Sequence, residues 1–235
     1  MAGIFYRLMT YNIHGGTDSH GHPSLPAVAA TISAIHPDLS GLEEVERGFR
    51  ARSGYADQPH LLAESLDYNC RFAAALDREP GAPGGEFGNA ALSAAPIISS
   101  WTAELPHDGE PRIVMGISVR AASGPMHFLV THLGLDQEER REQIQAIIAR
   151  AETLCGPVIL VGDFNARPDD PELTPLFARW REVQSALGLN LPTFPASGAR
   201  IDYIFVPRDW QVLRAEVVPS PASDHWPLVA DVAWE

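Results

Sequence analysis

The stretch "GPVILVGDFN", residues 156–165, constrains this chain most. Its run Val158–Val161 is apolar without alternation and reads as a strand buried in a core. Polar groups stand at its C-terminal end: Asp163 and, two residues on, Asn165. Residues two apart in extended chain face the same way, so both would reach the same side of the strand end. Other apolar runs end alike. Ile4–Tyr11 runs into "NIHGG", "DLSGLEEV" is a short strand that ends in acids, and Met126–His132 has a polar end. Further strands are expected at Asn69–Leu76, Phe87–Ser93, Ile97–Leu105, Arg112–Arg120, Ile201–Val206, Val212–Val218 and Leu228–Val232. Helical spacing marks Leu25–His36, stopped by Pro37, then Leu61–Leu66 and the long amphipathic Gln137–Leu154. Pro168–Glu182 holds short helices, and Glu79–Gly85 is a Pro/Gly-rich loop. Roughly ten strands interrupted by helices, with no repeat or linker, make one mixed α/β sandwich over a single domain, 1–235, the economical reading.

With 235 residues, 45% of them hydrophobic, the chain can fill such a core. Its 17 basic and 30 acidic residues give a net charge of −13, which disfavours a strong non-specific hold on nucleic acid. All 17 basic residues are arginine, so Schiff-base chemistry and a Walker lysine are excluded. Cys70 and Cys155 sit in apolar surroundings outside any CxxC and read as buried free thiols. The N-terminus "MAGIFYRLMTYN" lacks the pattern of a signal peptide and no run reaches the length of a membrane span, so a cytoplasmic protein is expected.

Eleven polar residues follow or end the apolar runs: Asn12, His14, Glu43, Glu44, Asn89, His132, Asp163, Asn165, Asp202, Asp224 and His225. One alone is usually a cap or turn former. Eleven fit one shared site outside the strand ends, where α/β sheets gather ligands. Carboxylate and amide oxygens are hard donors suited to Mg²⁺ or Mn²⁺, and no Cys/His cluster of zinc spacing is present. A histidine needs a partner to fix its tautomer, and Asp202 could serve His225.

The segments "TYNIHG", "GLEEV", "GNAALS", "THL", "GDFN", "IDYIFV" and "SDHWPL" come in the order found in the endonuclease/exonuclease/phosphatase family, which the chain resembles over nearly its whole length. The resemblance implies a four-layer α/β/β/α sandwich and metal-dependent cleavage of a phosphate ester by in-line attack of water. It implies Glu44 as principal metal ligand, with Asn12 beside it and Asp224 on the other side. Asp163 would orient or deprotonate the water, and Asn165 and His132 would donate to the phosphate. Asp202 and His225 would stabilise the charged transition state, and Asn89 would contact the substrate phosphate or the surrounding network.

The pattern departs from the family in three places. Glu43 stands where many relatives carry glutamine; its charge could repel substrate or point away, and it is expected to be solvated or to lie behind the ligands. His14 stands where abasic-site endonucleases place an aspartate, and their catalytic tyrosine is unmatched; both count against DNA repair. His14, His20 and His22 in "HGGTDSHGH" have a spacing that could bind a transition metal, but the stretch reads as a mobile polar loop.

"ERGFRARSGYADQ" sets Arg47, Arg50 and Arg52 among Phe49 and Tyr55. It is either a forked phosphate reader with stacking aromatics or a solvated loop. Arg50 and Arg112 are the candidate substrate contacts, while Arg140 and Arg141 decorate the long helix. The charge favours a small or lipid-derived phosphodiester as substrate. A nuclease acting on DNA or RNA is the alternative, and a non-catalytic binder of a phosphorylated ligand or partner is a rival of another class.

Overall fold

The computed structural model describes residues 4–77, 84–121 and 124–234. Among these, two six-stranded mixed sheets pack face to face. The first runs, edge to edge, β11 (Gln211–Val217), β12 (Leu228–Trp234), β1 (Ile4–Asn12), β2 (Leu39–Arg47), β4 (Glu86–Ser93) and β3 (Asn69–Asp77). The second runs β5 (Ile97–Leu105), β6 (Arg112–Ala121), β7 (Gly124–His132), β8 (Val158–Asp163), β10 (Asp202–Val206) and β9 (Arg181–Glu182). Each sheet holds one parallel pair, β1 with β2 and β7 with β8. Helices α1 (Leu25–Ile35) and α2 (Gln58–Leu66) cover the outer face of the first sheet; α3 (Gln137–Glu152) and α4 (Thr174–Arg179) cover that of the second. The four-layer α/β/β/α sandwich is the result.

Alternation along each strand decides which side chains meet between the sheets. Leu8, Leu39, Phe128, Val130, Val161, Ile204, Leu228 and Val232 fill the central layer. Met9, Leu42 and Leu92 face α1 with Val28 and Ile32, while Leu129, Leu160 and Phe205 face α3 with Ile144 and Ile147. The strand "VILV" therefore has apolar residues on both faces because both are covered. The sheets approach closely at Gly41: a Cβ there would lie 2.5 Å from Val161 Cγ2 and 3.1 Å from Val130 Cγ1.

Several boundaries differ from expectation for local reasons. α1 ends at Ile35, with His36 in the left-handed conformation as its cap and Pro37 beyond. α2 begins at Gln58 because Asp57 accepts from His60 N at 3.2 Å and Pro59 suits a first turn. α3 ends two residues early, at Glu152. Most of the expected 79–85 loop lies outside the described residues. Cys155 is exposed and Cys70 only half-buried, so neither is the fully buried thiol expected. Arg140 is not surface decoration either: it is buried, with its guanidinium on Glu172 Oε1 at 2.7 Å and on the carbonyl of Leu135 at 2.7 Å. Among the described residues no helix is long and apolar enough to cross a membrane.

Gly41→Ala should lower the unfolding free energy by about 1–3 kcal/mol, the usual effect of overpacking. Urea denaturation measures it. An unchanged midpoint would mean that the sheets can part without loss.

Candidate active site

The inner-face alternation that fills the core continues past its apolar residues to one end of the sandwich, where it presents polar ones. In the second sheet His132 lies beside Asp163, and Asp163 beside Asp202, as register partners of β7, β8 and β10. In the first sheet Thr10 and Asn12 follow Leu8 at two-residue intervals, with Asn12 opposite Glu43. Asn89 is buried at the matching end of β4, beside the bulge in β2.

That bulge aims Glu44. The β2–β4 register shifts between Leu42 and Val45, so Glu43 and Glu44 together occupy the space opposite Asn89. Glu44 takes φ +56°, a left-handed conformation that a non-glycine residue adopts only under constraint. Bulges re-aim side chains next to active sites, and here both acids reach the same end. His14 (φ +50°) and Asn165 (φ +50°) are left-handed too.

Asn12 ties the sheets together: its Nδ2 donates to Glu44 Oε1 and to Asp163 Oδ2, each at 3.1 Å. Asp163 Oδ1 accepts from the Asn165 backbone at 2.9 Å, a turn that places the Asn165 side chain. β8 stops at Asp163, so Asn165 reaches the site through this turn rather than along extended chain. Its Nδ2 donates to the Leu133 carbonyl at 2.9 Å and to His132 Nε2 at 3.1 Å. Both amide N–H groups are thus engaged, and His132 Nε2 is an acceptor. Burial pushes the His132 imidazole down to about 3, so it is neutral.

His225 is the opposite case. Its Nδ1 meets Asp202 Oδ2 at 2.9 Å, and its Nε2 stands 3.7 Å from Asp163 Oδ2. Burial alone would lower its pKa, but Asp202, Asp163 and Asp224 outweigh it and raise it to about 10. The ring is an imidazolium at neutral pH. Burial, then Asp202, raises the Asp163 carboxyl above its ordinary value. Phe194 packs on the His225 ring at 4.8 Å, and Thr193 Oγ1 accepts from Asp202 N at 3.1 Å. Neither residue stood out in the sequence, because the segment 191–200 has no regular period. Thr10 lay within "TYNIHG", and the two-residue spacing to Asn12 was the signal for it.

The donor set fits a hard cation. Glu44, Asp163, Asp202 and Asp224 bring four carboxyl groups against one imidazolium, and buried Asp202 Oδ1 has no hydrogen-bond partner. Asp163, Asp202 and His225 each bring an atom within 4.8 Å of the others; with the His225 ring protonated, the two carboxyl groups are the members of this cluster that could face a divalent metal. Half-exposed Glu44 and Asp224 keep open sides. His14 Nδ1 stands 3.7 Å from Asp224 Oδ1. His20 and His22 are exposed, and His22 is turned to Asp18. Arg50 is paired with Glu46. Arg112 is buried at the site end of β6, where its charge acts on His132; its Nε is unpartnered and its Nη1 is 3.0 Å from Glu110.

Of the two places expected for Glu43, solvent or behind the ligands, it takes the second. It is fully buried; Oε1 accepts from Thr10 Oγ1 at 3.0 Å and Oε2 has no partner. Burial, then the charge of Asp202, pushes its carboxyl well above the usual range and favours the neutral acid, an isostere of glutamine. The folded protein therefore holds this proton where the unfolded chain has lost it, and stability falls as pH rises above the unfolded value of about 4.3. Glu43→Gln should melt with the wild type near pH 4 and above it at pH 8. Parallel curves across that range would show that Glu43 carries no such penalty.

The endonuclease/exonuclease/phosphatase family matches residues 9–225. Among curated proteins none matches the chain significantly in sequence. Solved structures match it in fold. An endonuclease/exonuclease/phosphatase from Beutenbergia cavernae is 25% identical, covering 97% of this chain and 71% of its own, with a TM-score of 0.79. The human Nocturnin catalytic domain, which carries a bound sulfate anion, is 20% identical over 100% of this chain and 97% of its own, TM-score 0.78. Danio rerio TDP2, in complex with a single-stranded DNA product, is 17% identical over 97% and 98%, TM-score 0.75. A match that begins in β1 and ends at His225 spans every element that feeds this cluster, and the chain belongs to the endonuclease/exonuclease/phosphatase family.

Proposed function

We propose that this chain is a divalent-cation-dependent hydrolase of phosphodiester bonds, and that its substrate is nucleic acid rather than the small or lipid-derived phosphodiester that net charge alone suggests. The convergence of Asn12, Glu44, Asp163, Asp202 and His225 carries the reaction class. The likeness to a structure that holds a single-stranded DNA product supports the substrate class, as do arginines at the rim of an otherwise acidic molecule.

Glu44, Asn12 and Asp224 would hold Mg²⁺ or Mn²⁺, which supplies Lewis-acid neutralisation of phosphate charge when bound. Asp163 sits at the centre of the network. Its raised basicity suits it to orient the attacking water and take its proton. The His225 imidazolium, held by Asp202, faces the same centre and would stabilise charge growing on the phosphoryl oxygens. Neutral His132 holds Asn165, whose Oδ1 remains to accept from water or substrate; donation to the phosphate from Asn165 would require one of its N–H groups to be released. Asn89, on β4, and Arg112, on β6, would be the substrate-side groups of the two sheets.

The direct test is cleavage of bis-p-nitrophenyl phosphate, single- and double-stranded DNA, RNA, inositol phosphates and sphingomyelin with Mg²⁺ or Mn²⁺. Cleavage of the lipid or inositol substrates alone would overturn the nucleic-acid reading. Asp163→Ala should cut turnover about 10²- to 10⁴-fold, the range for a lost general base, with an unchanged circular dichroism spectrum; retained turnover would remove it from the mechanism. Glu44→Gly should abolish Mn²⁺ binding in calorimetric titration. Relief of the left-handed strain should offset the entropy of glycine, leaving stability within about 1 kcal/mol of wild type. Undiminished Mn²⁺ affinity would exclude Glu44 as a ligand.

A further inference from the structure

The segment 48–57 joins β2 to α2 and carries more positive charge than its own packing uses. Glu46 beneath it is fully buried. Glu46 Oε1 accepts from Arg50 Nη1 at 3.1 Å and lies 3.8 Å from Arg52 Nη2, while Oε2 accepts from Ser53 Oγ at 2.6 Å. Among the described residues the ion pairs of Arg50 and Arg52 are both to Glu46. Two guanidiniums share one carboxylate, so one positive charge is left over in a chain of net charge −13. Arg47, by contrast, pairs with Glu86.

This surplus charge is held in place and open to a ligand. The Arg50 guanidinium lies over the rings of Phe49 and Phe87, 5.1 and 5.0 Å from their centroids, which restrains its plane. The side chains of Arg50 and Arg52 remain 37% and 35% exposed. Gln58 links the segment to the proposed metal side of the site: its Oε1 accepts from Glu46 N at 2.9 Å, and its Nε2 donates to the Gly15 carbonyl at 2.7 Å. A Cβ on Gly15 would lie 2.9 Å from Arg52 Nη2. The guanidinium thus rests against the backbone one residue from His14, which itself faces Asp224.

We infer that Arg50 and Arg52, gathered on the buried carboxylate of Glu46, form a subsite for a second, non-reacting phosphate of the nucleic-acid strand, next to the scissile one. Guanidinium forks match phosphate oxygens, and a preset pair loses little freedom on binding. Glu46 is a positioning residue that brings two like charges together. The inference rests on the phosphodiester reading above and deepens it: the preferred substrate carries at least two phosphates.

The test is calorimetric titration with metal chelated, using the dinucleotide dTpdT and its forms with one terminal phosphate added, pdTpdT and dTpdTp. Wild type should bind at least one of the doubly phosphorylated forms about tenfold more tightly than dTpdT, the scale of a charge-assisted contact. The Arg50→Gln/Arg52→Gln double variant should lose that advantage, its affinities for dTpdT and for the doubly phosphorylated forms becoming equal. No advantage in wild type, or an advantage that survives in the double variant, would overturn the subsite. Should the double variant misfold, Arg50→Gln and Arg52→Gln singly should each lose part of the advantage; an advantage retained in both would overturn it equally. The reading as a hydrolase stands or falls separately, on whether wild type with Mn²⁺ cleaves any substrate of the panel.

Discussion

One amide group bridges the two halves of this molecule. Asn12 Nδ2 donates to Glu44 within its own sheet and to Asp163 in the other. The two acceptors lie 32 and 151 residues away in sequence. A hydrogen bond of this length tolerates little relative motion, so the site exists only while the sheets keep their packing distance. That distance is set deeper in the sandwich, where Gly41 lets Val161 and Val130 come against the backbone of the first sheet. The absence of a side chain at residue 41 and the position of a carboxylate at residue 163 are thus parts of one geometry.

Electrostatics divides the two histidines by surroundings rather than by residue type. His132 and His225 are both buried and both lie within 4 Å of Asp163 Oδ2. His225 has Asp202 on its other nitrogen and becomes a cation. His132 meets the amide of Asn165 instead, has the positive charge of Arg112 nearby, and stays neutral. The same side chain serves as a charge on one side of the site and as a lone pair on the other.

Much of this was legible in the chain. "VILV" between turn residues demanded a strand covered on both faces, and the two-residue spacing of Leu8, Thr10 and Asn12 carried the inner face of β1 to its polar end. Asp163, Asp202 and His225 stood out because each closes or follows an apolar run. Glu43 was legible only as a choice between solvent and a place behind the ligands. Beside Glu44 in a strand it should have pointed to the opposite face, and only the bulge, a product of pairing with β4, allows both acids to reach the same end of the sandwich. Arg140 misled for a similar reason: helical position made it a surface residue until Glu172, 32 residues on, was folded against it. Phe194 and Thr193 were silent because contact alone, with no period or motif, gives them their place.

The family resemblance implied the four layers; the sequence by itself determined a mixed α/β sandwich, the strand ends that carry chemistry and the hardness of the donors. These follow from the order of apolar and polar residues along the chain and from the chemistry of each side chain, and both are local. Only the tertiary structure decided which carboxyl group is neutral, which histidine is charged and which arginines share a counter-ion. A group's charge depends on the dielectric around it and on neighbours brought within a few ångströms from distant parts of the chain, and those neighbours are assembled by folding.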